Sequence, residues 1–139
     1  MNNQIRTALT TLGFAGLFCG VMLRAQSLKT ETANVPFAFQ VGSAVMPAGK
    51  YSATESNTRG VVQMQNQATG KSVLAGAFVP KSGKSGQSKL TFRCYDNRCF
   101  LAEIWYADET NGHGLPTTAR ERELVASHQE PKLTYVAMR

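Results

Sequence analysis

After residue 33 hydrophobic and polar positions alternate along most of the chain, the period of a strand with one buried face. Val35, Phe37, Phe39 and Val41 fall on one side of the first such run and Pro36, Ala38 and Gln40 on the other. The proline near its start predicts an edge strand, because proline brings no N–H to a ladder. Gly42–Met46 reads as a connection into the turn Pro47-Ala48-Gly49, where proline fixes φ at the first corner and glycine takes the positive φ that closes it. Tyr51 and Ala53 continue as a second strand. The turn formers Ser56–Gly60, the strand Val61–Gln65, the turn Asn66–Lys71 with Gly70 left-handed, and the apolar strand Ser72–Val79 predict two successive hairpins.

Lys81–Ser88 has no apolar residue to bury and reads as a flexible loop; Asp108–Pro116 reads as a longer Gly-rich loop. Thr118-Ala-Arg-Glu121 matches a capping box, with Thr118 accepting from the third N–H and Glu121 reaching back, so a short helix is expected from Ala119 to Ser127. Its residues Arg120, Glu121, Arg122 and Glu123 read as a salted, solvated face. Pro131 marks a break, and Leu133, Tyr135 and Ala137 alternate again. About seven short strands and one helix near the C-terminus predict a mainly β fold, an antiparallel sandwich or small barrel, in one domain over residues 26–139.

The most specific segment is Leu90–Trp105, two strand patterns separated by Asp96-Asn97, residues that tolerate the φ of a tight hairpin. Tyr95 then faces Arg98, Cys94 faces Cys99 as a non-hydrogen-bonded pair with Cα atoms about 4.5 Å apart, and a disulfide is within reach. So small a loop gives a chain-entropy stabilisation of about 2 kcal/mol. The alternatives are a redox pair, against which stand four intervening residues instead of two, and zinc, which needs two more ligands from a chain with two histidines. The same register sets Phe92 against Leu101 and Leu90 near Glu103 and Trp105 on the cysteine side, the expected core face. Phe100, Ala102, Ile104 and Tyr106 go to the opposite side with Arg93 and Lys89, under the helix. Glu103 is then a carboxylate in an apolar strand: a candidate ligand contact beside Trp105, or a partner of Arg120 or Arg122, or a residue at the sheet margin.

Composition adds a destination. Arg6, a largely apolar run from Ala8 to Leu23, and the small residue Ala25 follow the pattern of a secretory signal cut after Ala25. A retained anchor is the alternative, but the run holds Thr10, Thr11 and three glycines and is shorter than the roughly 20 apolar residues of a spanning helix. Phe18 before Cys19 does not suit a lipobox. Cleavage removes Arg6 and Arg24 and no acid, so the net charge of +6 falls to +4, too mild and too dispersed for a nucleic-acid reader. No membrane span is expected after cleavage, and an exported chain with an even pair of cysteines fits an oxidising compartment.

Catalytic signatures are missing from the sequence. Gly70-Lys71-Ser72 and Gly83-Lys84-Ser85 both lack the earlier glycine of a phosphate loop (Gln65 and Phe78 stand there), and Gln87 spoils a nucleophile elbow at Ser85. Any dispersed triad has only His113, read as a solvated loop residue, or His128, read as a helix-end residue. Lys81, Lys84 and Lys89 form either a polyanion-binding finger or a solubilising loop, without interleaved aromatics to stack bases. No cofactor or metal is expected.

Four segments, Val35-Pro-Phe-Ala-Phe-Gln-Val-Gly42, Met46-Pro-Ala-Gly-Lys-Tyr51, Phe100-Leu-Ala-Glu-Ile-Trp105 and Ala119-Arg-Glu-Arg-Glu-Leu124, together resemble a family of small exported proteins abundant in acidobacteria. The likeness spans most of the chain after residue 25 and implies an envelope or secreted β-rich domain; it implies no activity and carries over no site residue, and the cysteine pair is not part of it. The resulting expectation is a non-catalytic, periplasmic or secreted module that binds an envelope protein, a glycan or its own kind. Competing with it are a small secreted enzyme, which needs a pocket gathering His113 or Glu103 with a nucleophile, and a polyanion binder working through Lys81–Lys89.

Overall fold

Pro36 ends the first strand where alternation alone would carry it on, and the chain crosses there from one sheet to another. The computed structural model describes residues 28–76, 79–83 and 85–139. The expected leader, residues 1–25, lies outside the described residues. In chain order the elements are β1 (Thr30–Val35), β2 (Phe39–Val41), β3 (Ala44–Met46), β4 (Gly49–Glu55), β5 (Val61–Asn66), β6 (Ser72–Gly76), β7 (Val79–Ser82), β8 (Lys89–Tyr95), β9 (Arg98–Trp105), β10 (Asn111–Gly114), α1 (Ala119–Ala126) and β11 (Lys132–Ala137). The fold is mainly β, two facing sheets with one helix near the C-terminus and no closed barrel. The strands number eleven among the described residues, against the seven or so expected from the sequence. Part of the excess arises because single expected runs are split, into β1 and β2 and into β6 and β7, and the rest because β3 and β10 form where a connection and a loop were expected.

One sheet has the order β1-β4-β5-β6, all antiparallel, with β1 at its edge; Pro36, expected near the start of an edge strand, lies in none and follows the end of β1. The larger sheet runs β11-β8-β9-β10-β7; β2 pairs parallel with the first half of β9 and antiparallel with β3, while β10 takes the second half of the same β9 edge. The supposed connection Gly42–Met46 is a tight hairpin, with Gly42 at φ +58 and β3 beyond it. Gly70 is left-handed, and the Asn66 side chain accepts from the N–H groups of Ala68 and Thr69 to hold the β5–β6 turn. Backbone bonds between Thr32 and Arg139 at 2.8 and 2.9 Å join β1 to the end of β11 and close one side of the sandwich.

Between the sheets lies an apolar layer of Val35, Tyr51, Ala53, Val62 and Met64 facing Phe39, Met46, Leu90, Phe92 and Leu101, with edge-on contacts of Phe39 to Tyr51 and to Phe92 at 5.0 and 5.2 Å. Aromatic pairs in this geometry add to what area burial supplies. Cys94 and Cys99 are joined by a disulfide with Cα atoms 4.0 Å apart, on this inner face and in the register read from the sequence. Asp96 takes the positive φ of the turn, at 52°.

That register holds only as far as Phe92↔Leu101. Thr91 then pairs with Glu103, Leu90 with Ile104 and Lys89 with Trp105, so Ala102 is an extra residue, a β-bulge whose carbonyl accepts from the N–H of Leu115 at 2.8 Å. A one-residue shift exchanges the faces of everything after it. Ile104 and Tyr106 therefore enter the core, and Glu103 and Trp105 leave the cysteine side, where they were expected, for the outer face. The terminal strand is reversed too: Leu133 and Tyr135 point outward, 51% and 56% exposed, and Met138 points in.

The helix starts with the Thr118 hydroxyl accepting from the Glu121 N–H at 3.1 Å and ends with His128 in the left-handed region, its N–H on the Val125 carbonyl and that of Gln129 on Leu124. The return half of the capping box does not form. Glu121 is the buried residue of the helix, and its carboxylate takes both Nε and Nη2 of Arg93 and, at 3.3 Å, the Tyr95 hydroxyl. The expected solvated face is thus an ion pair that docks the helix on the outer side of β8, while Arg120 holds Glu123 and Arg122 donates to the Thr117 carbonyl. Replacing Arg93 by Met would leave that carboxylate enclosed without its cation and should cost about 3 kcal/mol of unfolding free energy. A urea titration measures it as a lower midpoint at unchanged slope; a loss under about 1 kcal/mol would mean that the ion pair is not what fastens the helix.

Candidate functional site

Two groups of polar side chains stand out, one on the outer face of the larger sheet and one at an end of the sandwich. Outside, the register aligns Lys89 with Trp105 and Gly112, and in the next row Tyr135 with Thr91, Glu103 and Gly114. The Trp105 indole lies flat on β10: a Cβ at Gly112 would stand 2.6 Å from two of its ring atoms, so only glycine admits the ring there. Its Nε1–H donates to Glu103 Oε2 at 2.8 Å, which fixes the ring and aims the carboxylate along the same face. The Lys89 ammonium sits 4.9 Å from the centre of the exposed Tyr135 ring.

The sequence singled out Glu103 and Trp105 together, and the fold keeps them together, though on the face opposite to the one expected. Of the three lysines, Lys89 is in this array. Lys81 belongs to β7 and pairs through its backbone with Gly112; its side chain and Lys84 lie outside the described residues. The loop reading of 81–88 is revised at its ends: Lys81 and Ser82 are strand, and Ser88 is buried, its hydroxyl accepting from the Ala107 N–H and its carbonyl from Met138.

At the end of the sandwich, His113 is a strand residue of β10 and not a loop residue; it pairs with the inward-facing Ile104 and so points between the sheets. Its Nε2 lies 3.1 Å from Glu109 Oε2 and 4.0 Å from Glu55 Oε1 at the end of β4. Lys29 stands 3.8 Å from the other Glu109 oxygen and 4.8 Å over the ring of Tyr106, whose edge meets the imidazole. Tyr106 is fully buried; its hydroxyl and the Oε2 atom of Glu31, inward on β1, have no hydrogen-bond partner among the described residues. Sequence reading missed this group, since its members lie up to 84 positions apart, from Lys29 to His113, and Glu55, Glu109 and Tyr106 stand in no motif. The only signal was a set of carboxylates at alternation positions that should be apolar. Nearby, Glu31, Ser88, Ala107 and Arg139 are among the residues lining a pocket of about 380 Å³. Among the described residues no helix is long and apolar enough to cross a membrane.

Two tyrosines, Tyr106 in this group and Tyr95 beneath the helix, are held protonated. Burial, then the charges of Glu55, Glu109 and Glu31, push the Tyr106 phenol far above its ordinary range; burial and then Glu121 raise that of Tyr95, partly opposed by Arg93. A raised pKa in the folded state gives stability that is complete below the ordinary phenol value of about 10 and is lost as pH climbs toward the raised ones. In an alkaline titration of the four tyrosines, part of the phenolate absorbance should therefore appear only as the β circular dichroism disappears. Ionisation of all four near the ordinary value, with the fold intact, would contradict this. For the outer face, Gly112→Ala should push the chain's single tryptophan off β10, red-shift its fluorescence and cost about 1–3 kcal/mol; an unchanged emission spectrum would rule out the close packing. Comparison with protein-family models, with curated proteins and with solved structures finds no match, so neither group of residues takes a role from a relative.

Proposed function

We propose that this chain is an exported, non-catalytic binding module that takes a glycan on the outer face of its larger sheet. The observation that carries the reading is the indole of Trp105, seated on Gly112 and bonded to Glu103, in a face shared with the exposed ring of Tyr135. Sugar rings offer apolar C–H faces and a fringe of hydroxyls. A flat array of two aromatic rings with a carboxylate and an ammonium between them meets both needs, because the rings supply contact area with little conformational entropy to lose and the polar groups fix orientation. Preorganisation adds to this: the indole is already held in place by the backbone beneath it and the bond at its edge. Support for export comes from the leader pattern of residues 1–25, the likeness to exported acidobacterial proteins and the disulfide, which belongs to oxidising compartments.

The test is a titration of the full chain with a panel of envelope oligosaccharides, followed through the single tryptophan. A saturable fluorescence change with at least one of them is expected, weakened tenfold or more by Tyr135→Ala, which alters an exposed side chain, and by Trp105→Ala. No response from any oligosaccharide, or binding indifferent to both substitutions, would overturn the proposal. So would affinity that falls steeply with salt, since that is the mark of a polyanion held by lysines.

A further inference from the structure

The group at the end of the sandwich has a charge pattern that its own contacts do not resolve. Glu31 and Glu55 occupy inward positions of β1 and β4, and Glu109 reaches in from the turn after β9. Among the described residues three carboxylates thus face one ammonium, Lys29, and one imidazole, His113. Even with the imidazole protonated, one negative charge is left over where two sheets meet and water is partly excluded. Carboxylates at such positions are costly unless they are paired or hold a metal.

We propose that His113 Nε2, Glu109 Oε2 and Glu55 Oε1 form a binding site for a divalent transition-metal ion of the zinc type. These three atoms lie within 4.8 Å of one another. The 3.1 and 4.0 Å separations from Nε2 bracket the spacing of about 3.3 Å between adjacent ligands of a tetrahedral zinc ion with bonds of about 2.0–2.1 Å. A shift of about an ångström in the Glu55 side chain, which is 37% exposed, completes the set. One imidazole with two carboxylates favours zinc over calcium, which prefers six to eight oxygens.

A second observation, independent of the acidic cluster, is the buried Tyr106 hydroxyl without a partner beside it. Buried polar atoms are nearly always hydrogen-bonded. Three protein ligands leave the fourth corner of the tetrahedron to a water molecule, and a metal-bound water there supplies the phenol with the partner it lacks. Lys29 holds the second oxygen of Glu109 and so fixes the orientation of a ligand, as outer contacts of metal sites do. The site rests on none of the residues assigned to glycan binding, so either proposal can fail alone.

Untagged full chain, stripped with chelator, would be titrated calorimetrically with zinc, and separately with calcium and magnesium. One zinc ion per chain is expected, bound at least a hundredfold more tightly than calcium, and cobalt(II) in its place should give the visible spectrum of a tetrahedral site. Glu109→Gln and Glu55→Gln, near-isosteric and outside the apolar layer, should each weaken zinc at least tenfold, and His113→Ala should abolish the cobalt spectrum, while Leu74→Ala, exposed on β6 of the smaller sheet, changes neither. If His113→Ala does not fold, the two glutamine variants decide. Absence of saturable zinc binding, calcium binding as tight as zinc, or zinc binding unchanged in both glutamine variants would each show that the group is a self-contained ion-pair cluster and no metal site.

Discussion

One extra backbone residue, Ala102 in β9, decides which side chains meet the core and which meet water in the half of the larger sheet that carries the chemistry. Up to Leu101 the odd-numbered residues of β9 face inward with the disulfide; from Ile104 on, the even-numbered residues do. Without the bulge Glu103 and Trp105 would be driven into the apolar layer and Ile104 and Tyr106 out of it. A bare carboxylate there would cost several kcal/mol. The bulge is itself held by Leu115, which follows β10 and donates to the Ala102 carbonyl. This links the bulge to the strand that also carries Gly112, the floor under Trp105, and His113. The outer aromatic array and the inner polar cluster are therefore two sides of one local distortion, since Trp105 and Tyr106 are neighbours in sequence sent to opposite faces.

Local patterns in the sequence survive in the structure wherever one interaction settles them. The turn at Asp96-Asn97, the cysteine pairing, the left-handed Gly70 and the Thr118 cap depend on a few consecutive residues, and each stands as the spacing predicts. What alternation cannot convey is which face is inward, because a period of two is the same from both sides. Leu133 and Tyr135 look like core residues by hydropathy, yet pairing with β8 sets them beside Arg93 and Thr91 on the outside, and Val136 and Met138 turn in. The split of the first alternating run is a related case. Val35, Phe39 and Val41 are all buried, as the pattern demands, but they belong to two sheets, because the chain crosses the sandwich at Pro36–Ala38 without losing its phase.

The polar positions were legible in part. Glu103 is recognisable as odd in its strand, and the structure gives the reason in its bond to the indole two residues on. Glu121 is hidden by its context: in Arg-Glu-Arg-Glu every residue looks solvated, and only the docking of the helix over Arg93 and Tyr95 distinguishes one glutamate from the next. His113 sits between two glycines and so reads as loop, whereas Gly112 is there because the Trp105 ring approaches too closely for a larger residue in the strand. Glycine in this segment marks close packing.

The way the helix is fastened explains why the rest of the outer face stays open. A helix of eight residues is about 12 Å long, while β9, also of eight residues, extends about 26 Å. Whatever its direction, α1 covers no more than half of the face, and its ion pair to Arg93 places that half at the hairpin end, over Tyr95 and Phe100. A helix held by apolar contact alone would be free to slide along the sheet toward Trp105 and Tyr135 at the other end. Burial of a bidentate ion pair adds little net stability but is intolerant of displacement, since any movement strands a charge. Its effect here is positional. It holds the cover at one end of the sheet and leaves the aromatic end free, the condition under which that surface can receive a ligand.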